Sequence, residues 1–92
     1  MHKALIHNQG DHVAVAVAAI APGEEVTVVF MDDDSTASVV ARGAVPYGHK
    51  IAVKACTLDA SVLEYGVRIG VATTEIELGD YVHTHNLTTA RW

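Results

Sequence analysis

Valine and alanine alternate strictly through His12-Val13-Ala14-Val15-Ala16-Val17. A period of two places Val13, Val15 and Val17 on one face of a β-strand and the alanines on the other. An alanine face lets a second layer approach closely. The competing reading is a helix through the alanine-rich residues 13–21, and the alternation argues against it. Other segments repeat the message. Val26-Thr27-Val28-Val29-Phe30 is β-branched and reads as a strand. The charged turn Asp32-Asp33-Asp34-Ser35 returns it through Ala37–Arg42 as a hairpin. Pro46-Tyr47-Gly48 turns into Ile51–Lys54, and Val62–Tyr65, Val67–Ala72 and Tyr81–His85 follow. The expectation is a mostly β, compact barrel- or sandwich-like fold of about seven short strands.

The 92 residues make one small domain, 1–92, which buries only about 60–65% of its unfolded-chain surface. Half the residues are hydrophobic, but fourteen Val and fourteen Ala supply most of them, with a single Phe and a single Trp. Walls, lid and specificity pocket are hard to build from so little chain, which points to a subunit or accessory domain. The net charge of −5 argues against nucleic acid or an anionic membrane as partner, since both attract cationic surfaces. No apolar run approaches the roughly 20 residues of a membrane span, and no signal peptide opens the sequence. The lone Cys56 cannot form an internal disulfide and reads as a small buried hydrophobe. A cytoplasmic location is expected.

A weak internal repeat runs through the chain. Ile20-Ala21-Pro22-Gly23-Glu24-Glu25-Val26 matches Ile76-Glu77-Leu78-Gly79-Asp80-Tyr81-Val82, with Cys56-Thr57-Leu58-Asp59-Ala60-Ser61-Val62 as a degenerate middle copy. Asp59 stands where the others have Gly, a position suited to positive φ, which Asp tolerates. Each copy reads as a turn feeding a strand.

Six histidines mark where chemistry is possible. The sharpest cluster is His83-Thr84-His85-Asn86. On a strand, residues i and i+2 share a face, so His83 and His85 would point together. Such a pair can share a metal, bind a carboxylate or move a proton near neutral pH. A metal centre needs a third ligand, for which His49 is the candidate. The alternative is a strand end with two solvated imidazoles. Pro46-Tyr47-Gly48-His49-Lys50 presents His49 and Lys50 on a shaped turn, either to an anionic ligand or simply to solvent. Asp11 in Gly10-Asp11-His12 fits a turn cap and could also orient an imidazole. Tyr65-Gly66 and Gly70 read as a strand kink, with the Tyr65 ring packed. The Asp32–Asp34 run reads as a solvated hairpin tip. His2 and His7, on the first strand, offer no argument beyond exposure.

Taken in order, these segments resemble the altronate/galactarate dehydratase family in its amino-terminal SAF-type domain. Asp11-His12-Val13-Ala14-Val15-Ala16 is similar to the family's D-N-V-A-V-A. Val45-Pro46-Tyr47-Gly48-His49-Lys50-Ile51-Ala52 is similar to I-P-x-G-H-K-x-A. Glu64-Tyr65-Gly66 with Ile69-Gly70-Val71-Ala72-Thr73 resembles K-Y-G followed by I-G-x-A-T. Gly79–Asn86 resembles G-x-x-V-H-T-H-N. His12 replaces the usual Asn, Glu64 the usual Lys and Asp59 the usual Gly. The first change adds a titratable group near the implied site, and the second removes a cation.

The resemblance implies a β-clip (SAF-like) fold. It also implies a lyase that removes water from a sugar acid such as altronate or galactarate, with a divalent metal, Fe(II) in several members, held mainly by a much larger domain. Here the small domain resembles a separate subunit completed by a large catalytic subunit. The sulfolactate sulfo-lyase small subunit is similar too, and there the leaving group is sulfite. Carried onto this sequence, His49, His83 and His85 are the catalytic candidates. Lys50, Asn86 and His12 are the candidates for binding the small anionic substrate, and His83 and His85 for contacting metal. The reaction is β-elimination beside a carboxylate. A base takes the α-proton, an acid assists the leaving group, and a cation stabilises the enolate. A non-catalytic binding or assembly module is the alternative class, because fold alone does not fix activity. Exposed Val/Ala faces also make a homo-oligomer conceivable.

Overall fold

The computed structural model describes residues 3–8, 10–64, 66–83 and 85–89. His2, Tyr65 and Thr84, considered above, lie outside the described residues. Among the described residues there are nine strands and no helix: β1 Ala4–Ile6, β2 Val13–Ala16, β3 Glu25–Phe30, β4 Thr36–Val40, β5 Lys50–Ala52, β6 Ser61–Glu64, β7 Val67–Ala72, β8 Tyr81–Val82 and β9 Leu87–Thr89. The mostly β, β-clip class is the one expected. Beyond the seven segments named above stand β1, which falls between His2 and His7 in the stretch read as a first strand, and β9. Residues 13–16 form strand rather than helix, and β3 and β4 form the expected antiparallel hairpin. Its tip is an Asx turn in which Asp33 Oδ1 accepts from both the amide and the hydroxyl of Ser35. No helix among the described residues is long and apolar enough to cross a membrane.

Six strands form one sheet in the order β4-β3-β1-β2-β5-β8, and β6-β7-β9 form a second. β1 runs parallel to β3, and every other pairing is antiparallel. The repeat explains how such short strands hold together. The structure contains four copies, not three, because Val45-Pro46-Tyr47-Gly48-His49-Lys50-Ile51 is another. The third residue after each leading apolar residue has positive φ: Gly23 (80°), Gly48 (81°), Asp59 (69°) and Gly79 (89°). At Asp59 the tolerance of Asp for this region is what allows the copy to survive without glycine.

The copies clasp one another in pairs. Ile20 and Val45 exchange two backbone hydrogen bonds, as do Cys56 and Ile76. The amide of Gly23 donates to the carbonyl of Ala41, which precedes the second turn, and that of Gly48 donates to Ala16, which precedes the first. Asp59 and Ala72, and Gly79 and Ala52, repeat the arrangement in the other pair. Each of these alanines donates back to the residue after the positive-φ position: Ala16 to His49, Ala41 to Glu24, Ala52 to Asp80 and Ala72 to Ala60. All four alanines are buried, and a larger side chain would hold the turns apart. The two pairs seed two cores. Ala16, Ile20, Ala41 and Val45 pack with Val26, Val28 and Ile51 in the first. Ala52, Cys56, Ala72 and Ile76 pack with Val13, Val62 and Val82 in the second. β2 feeds both, sending Ala14 and Ala16 to one side and Val13 to the other.

Candidate functional site

β5 leaves the second turn and β8 leaves the fourth, and the two strands pair with Ile51 opposite Tyr81. This register brings His49, just before β5, against the ring of Tyr81 at the start of β8. His49 Nδ1 and the Tyr81 hydroxyl are hydrogen-bonded at 2.6 Å. The His83 ring stacks on Tyr81 with centroids 5.6 Å apart and planes 8° apart, and the His49 and His83 centroids are 5.1 Å apart. His85 tilts against the same tyrosine at 5.6 Å. The mid-chain turn and the terminal segment therefore converge, and the three expected imidazoles surround Tyr81. His49 and Tyr81 are half-buried, and His83 and His85 are exposed.

The local reason differs from the expected one. The strand stops at Val82 and does not run to His85. Asn86, almost fully buried, ends it: Oδ1 accepts the His83 amide at 3.0 Å and Nδ2 donates to the Tyr81 carbonyl at 2.9 Å. A short polar side chain that mimics backbone partners stabilises a turn over a strand. His83 and His85 thus meet through the ring of Tyr81 and not through a shared strand face. The Asn86 amide is committed to shaping this loop.

Lys50 and His12 lie at the junction between the sheets, each facing β6. Lys50 Nζ is 3.8 Å from Glu64 Oε1. Burial pushes the Glu64 carboxyl above its ordinary value. The Lys50 charge works against this shift, as does His7, and Asp11 adds to it. His12 Nδ1 accepts the Leu63 amide at 2.9 Å, while its own amide donates to the Leu63 carbonyl at 3.0 Å. Burial lowers the His12 pKa, the Lys54 charge lowers it further and Asp11 opposes both. Asp11 is fully buried and caps as expected. Its Oδ2 accepts from the Asn8 amide and its Oδ1 from the Gly66 amide.

Beside Tyr81 and His85 opens a shallow depression of about 350 Å³, rimmed by Arg42, Thr74, Glu75 and Asp80. Arg42 is shared between Glu77 and Asp80, the latter at 3.4 Å. The two cations near the cluster, Arg42 and Lys50, thus each face carboxylates of this chain. Among the described residues no three His, Cys, Asp or Glu side chains are arranged to hold a metal.

Residues 2–90 match the family model of the altronate/galactarate dehydratase SAF domain. The chain belongs to this family. It is 36% identical over 89 residues to the (2R)-sulfolactate sulfo-lyase subunit alpha of Chromohalobacter salexigens, covering 96% of this chain and 95% of that one. The subunit alpha of Paracoccus pantotrophus is 39% identical over 64 residues, 70% of this chain and 96% of its own. The altronate dehydratase of Escherichia coli is 43% identical over 79 residues, 86% of this chain but only 15% of that enzyme. Its relatives are thus lyases and dehydratases.

Sequence reasoning passed over Tyr81, the residue that all three imidazoles touch. The sequence marks it only as the first residue of the strand that the last repeat copy feeds. No signal in spacing could have found it, because the antiparallel pairing of β5 with β8 is what sets Tyr81 beside His49.

Proposed function

We propose that this chain is the small subunit of a cytoplasmic lyase that carries out β-elimination on a small 2-hydroxy acid, in an active site shared with a large subunit. The observation that carries this reading is the convergence of His49, His83 and His85 around Tyr81 on an open face. Imidazoles transfer protons near neutral pH, which suits both abstraction of the α-proton and assistance to the leaving group. The face is incomplete in the way a shared site must be. His83 and His85 are exposed, and Arg42 and Lys50 already face carboxylates, so cations for an anionic substrate come from the partner. A divalent metal such as Fe(II) is likewise assigned to the large subunit.

In the first reading the leaving group is water and the substrate is a sugar acid such as altronate or galactarate. A second reading, with sulfite leaving a sulfonated hydroxy acid such as sulfolactate, is favoured by a specific observation. The sulfo-lyase alpha subunits match over 95% and 96% of their own length, the altronate dehydratase over 15%. Reconstitution with the family's large subunit separates the two: one substrate yields a 2-keto-3-deoxy acid, the other free sulfite. His83→Ala and His85→Ala should each lower the reconstituted rate well beyond twofold. Rates within twofold of the parent for both would leave the chain an assembly module.

A further inference from the structure

Three histidines surround the site, and among the described residues one of them, His49, has a hydrogen bond that fixes its ring. His49 Nδ1 is held by the Tyr81 hydroxyl at 2.6 Å, while Nε2 of the same ring has no partner among the described residues. His83 and His85 touch Tyr81 only through ring contacts. Tyr81 is itself held firmly. Its backbone pairs with Ile51, its carbonyl accepts from Asn86 Nδ2, and its ring packs on the first core. An imidazole tied at one nitrogen presents the other in a defined direction, and the tie selects the tautomer.

We propose that Tyr81 is a positioning residue that makes His49 the proton-abstracting base of the lyase, with Nε2 as the working atom. This assignment rests on the lyase reading above and specifies which histidine does the chemistry. In the resting state Nδ1–H donates to the phenol oxygen of Tyr81, leaving the Nε2 lone pair free. The substrate α-proton passes to Nε2, and His49 becomes an imidazolium that keeps its Nδ1–H···O bond. The C–H electron pair forms the new C=C bond, and the leaving group departs from the β-carbon with its own bonding pair. The reaction needs no oxidant or reductant. Accepting a hydrogen bond from Nδ1–H, the phenol oxygen stabilises the imidazolium more than the neutral ring, so its contribution grows as the proton arrives.

The test has two parts that fail separately. Long-range ¹H–¹⁵N NMR on the full chain should show His49 with the proton on Nδ1. Tyr81→Phe, which keeps the ring and its packing, should move the population toward Nε2–H. A wild-type His49 protonated on Nε2, or a tautomer indifferent to Tyr81→Phe, overturns the inference whatever the enzyme does. In the reconstituted complex Tyr81→Phe should lower kcat by about 10- to 100-fold, as a loosened catalytic group does, with KM within twofold. His49→Gln is the reference variant. If it abolishes turnover while Tyr81→Phe leaves kcat unchanged, the lyase reading stands and the role of Tyr81 falls. If neither variant changes the rate, the lyase site itself has been misplaced.

Discussion

Replacing His12 tests how the two sheets are joined. Its imidazole Nδ1 accepts the Leu63 amide at 2.9 Å, its own amide donates to the Leu63 carbonyl, and its carbonyl accepts from the Val53 amide, so residue 12 links β2, β6 and the segment after β5. In His12→Ala the Leu63 amide, part-buried, loses its acceptor. Leaving a buried donor unsatisfied costs about 1–3 kcal/mol. For a domain of this size each kcal/mol moves Tm by about 4–8 °C. His12→Asn behaves differently, because Asn Oδ1 occupies the same place along the side chain as His Nδ1 and can accept the same amide. That variant should stay within about 0.5 kcal/mol of the parent, the ordinary range for substitutions that keep such features intact. The pH response separates the two further. Burial holds the folded-state pKa of His12 below its ordinary 6.5, so the unfolded chain binds the proton first. The full contribution is present above pH 6.5 and is lost as pH falls through the lowered folded value. The parent should therefore lose stability on acidification, and the His12-dependent part of that slope should be missing from His12→Asn. Urea denaturation followed by far-UV circular dichroism, at pH 7.5 and in steps below 6.5, measures both effects. A His12→Ala variant as stable as the parent, or a His12→Asn variant as damaged as His12→Ala, would refute the linkage.

Two further outcomes follow from the same structure. Gly79→Ala should destabilise by more than about 2 kcal/mol, because φ there is 89° and the new Cβ would lie 2.1 Å from the Val40 carbonyl oxygen, a backbone atom that cannot swing aside; equilibrium urea unfolding reads it directly. For Glu64, the folded carboxyl titrates above its ordinary 4.5, so ionisation opposes folding. Its stabilising effect is present at acid pH and is lost as pH rises through the folded value. Glu64→Gln should then be at least as stable as the parent at pH 7, with the advantage shrinking toward pH 4. A variant clearly weaker at pH 7 would mean that the contact with Lys50 outweighs burial.

The strands were readable because their side chains obey period two and their ends carry Gly, Pro or Asp. Val13–Ala16 and the Glu25–Val40 hairpin needed nothing more. The repeat was readable only in part, since its strongest regularity is not the turn alone. Ala16, Ala41, Ala52 and Ala72 each precede a leading apolar residue by four positions, and what ties them together is hydrogen bonding between copies distant in sequence. The candidate site shows the same division. His49, His83 and His85 stood out as residue types in polar turns. The end of the strand at Val82 depended on what the Asn86 side chain does with two backbone groups, and composition does not reveal that. Tyr81 could not be singled out from spacing, because its partner His49 lies 32 positions away and meets it only through strand pairing.

His49 follows one of four turns clasped by the same backbone bonds, and the other three hold no imidazole at that position. The ring is therefore carried by scaffolding made of this chain's own backbone bonds. A docking subunit would find this imidazole already aimed, with little ordering entropy left to lose there, so encounter should resemble the joining of two rigid bodies.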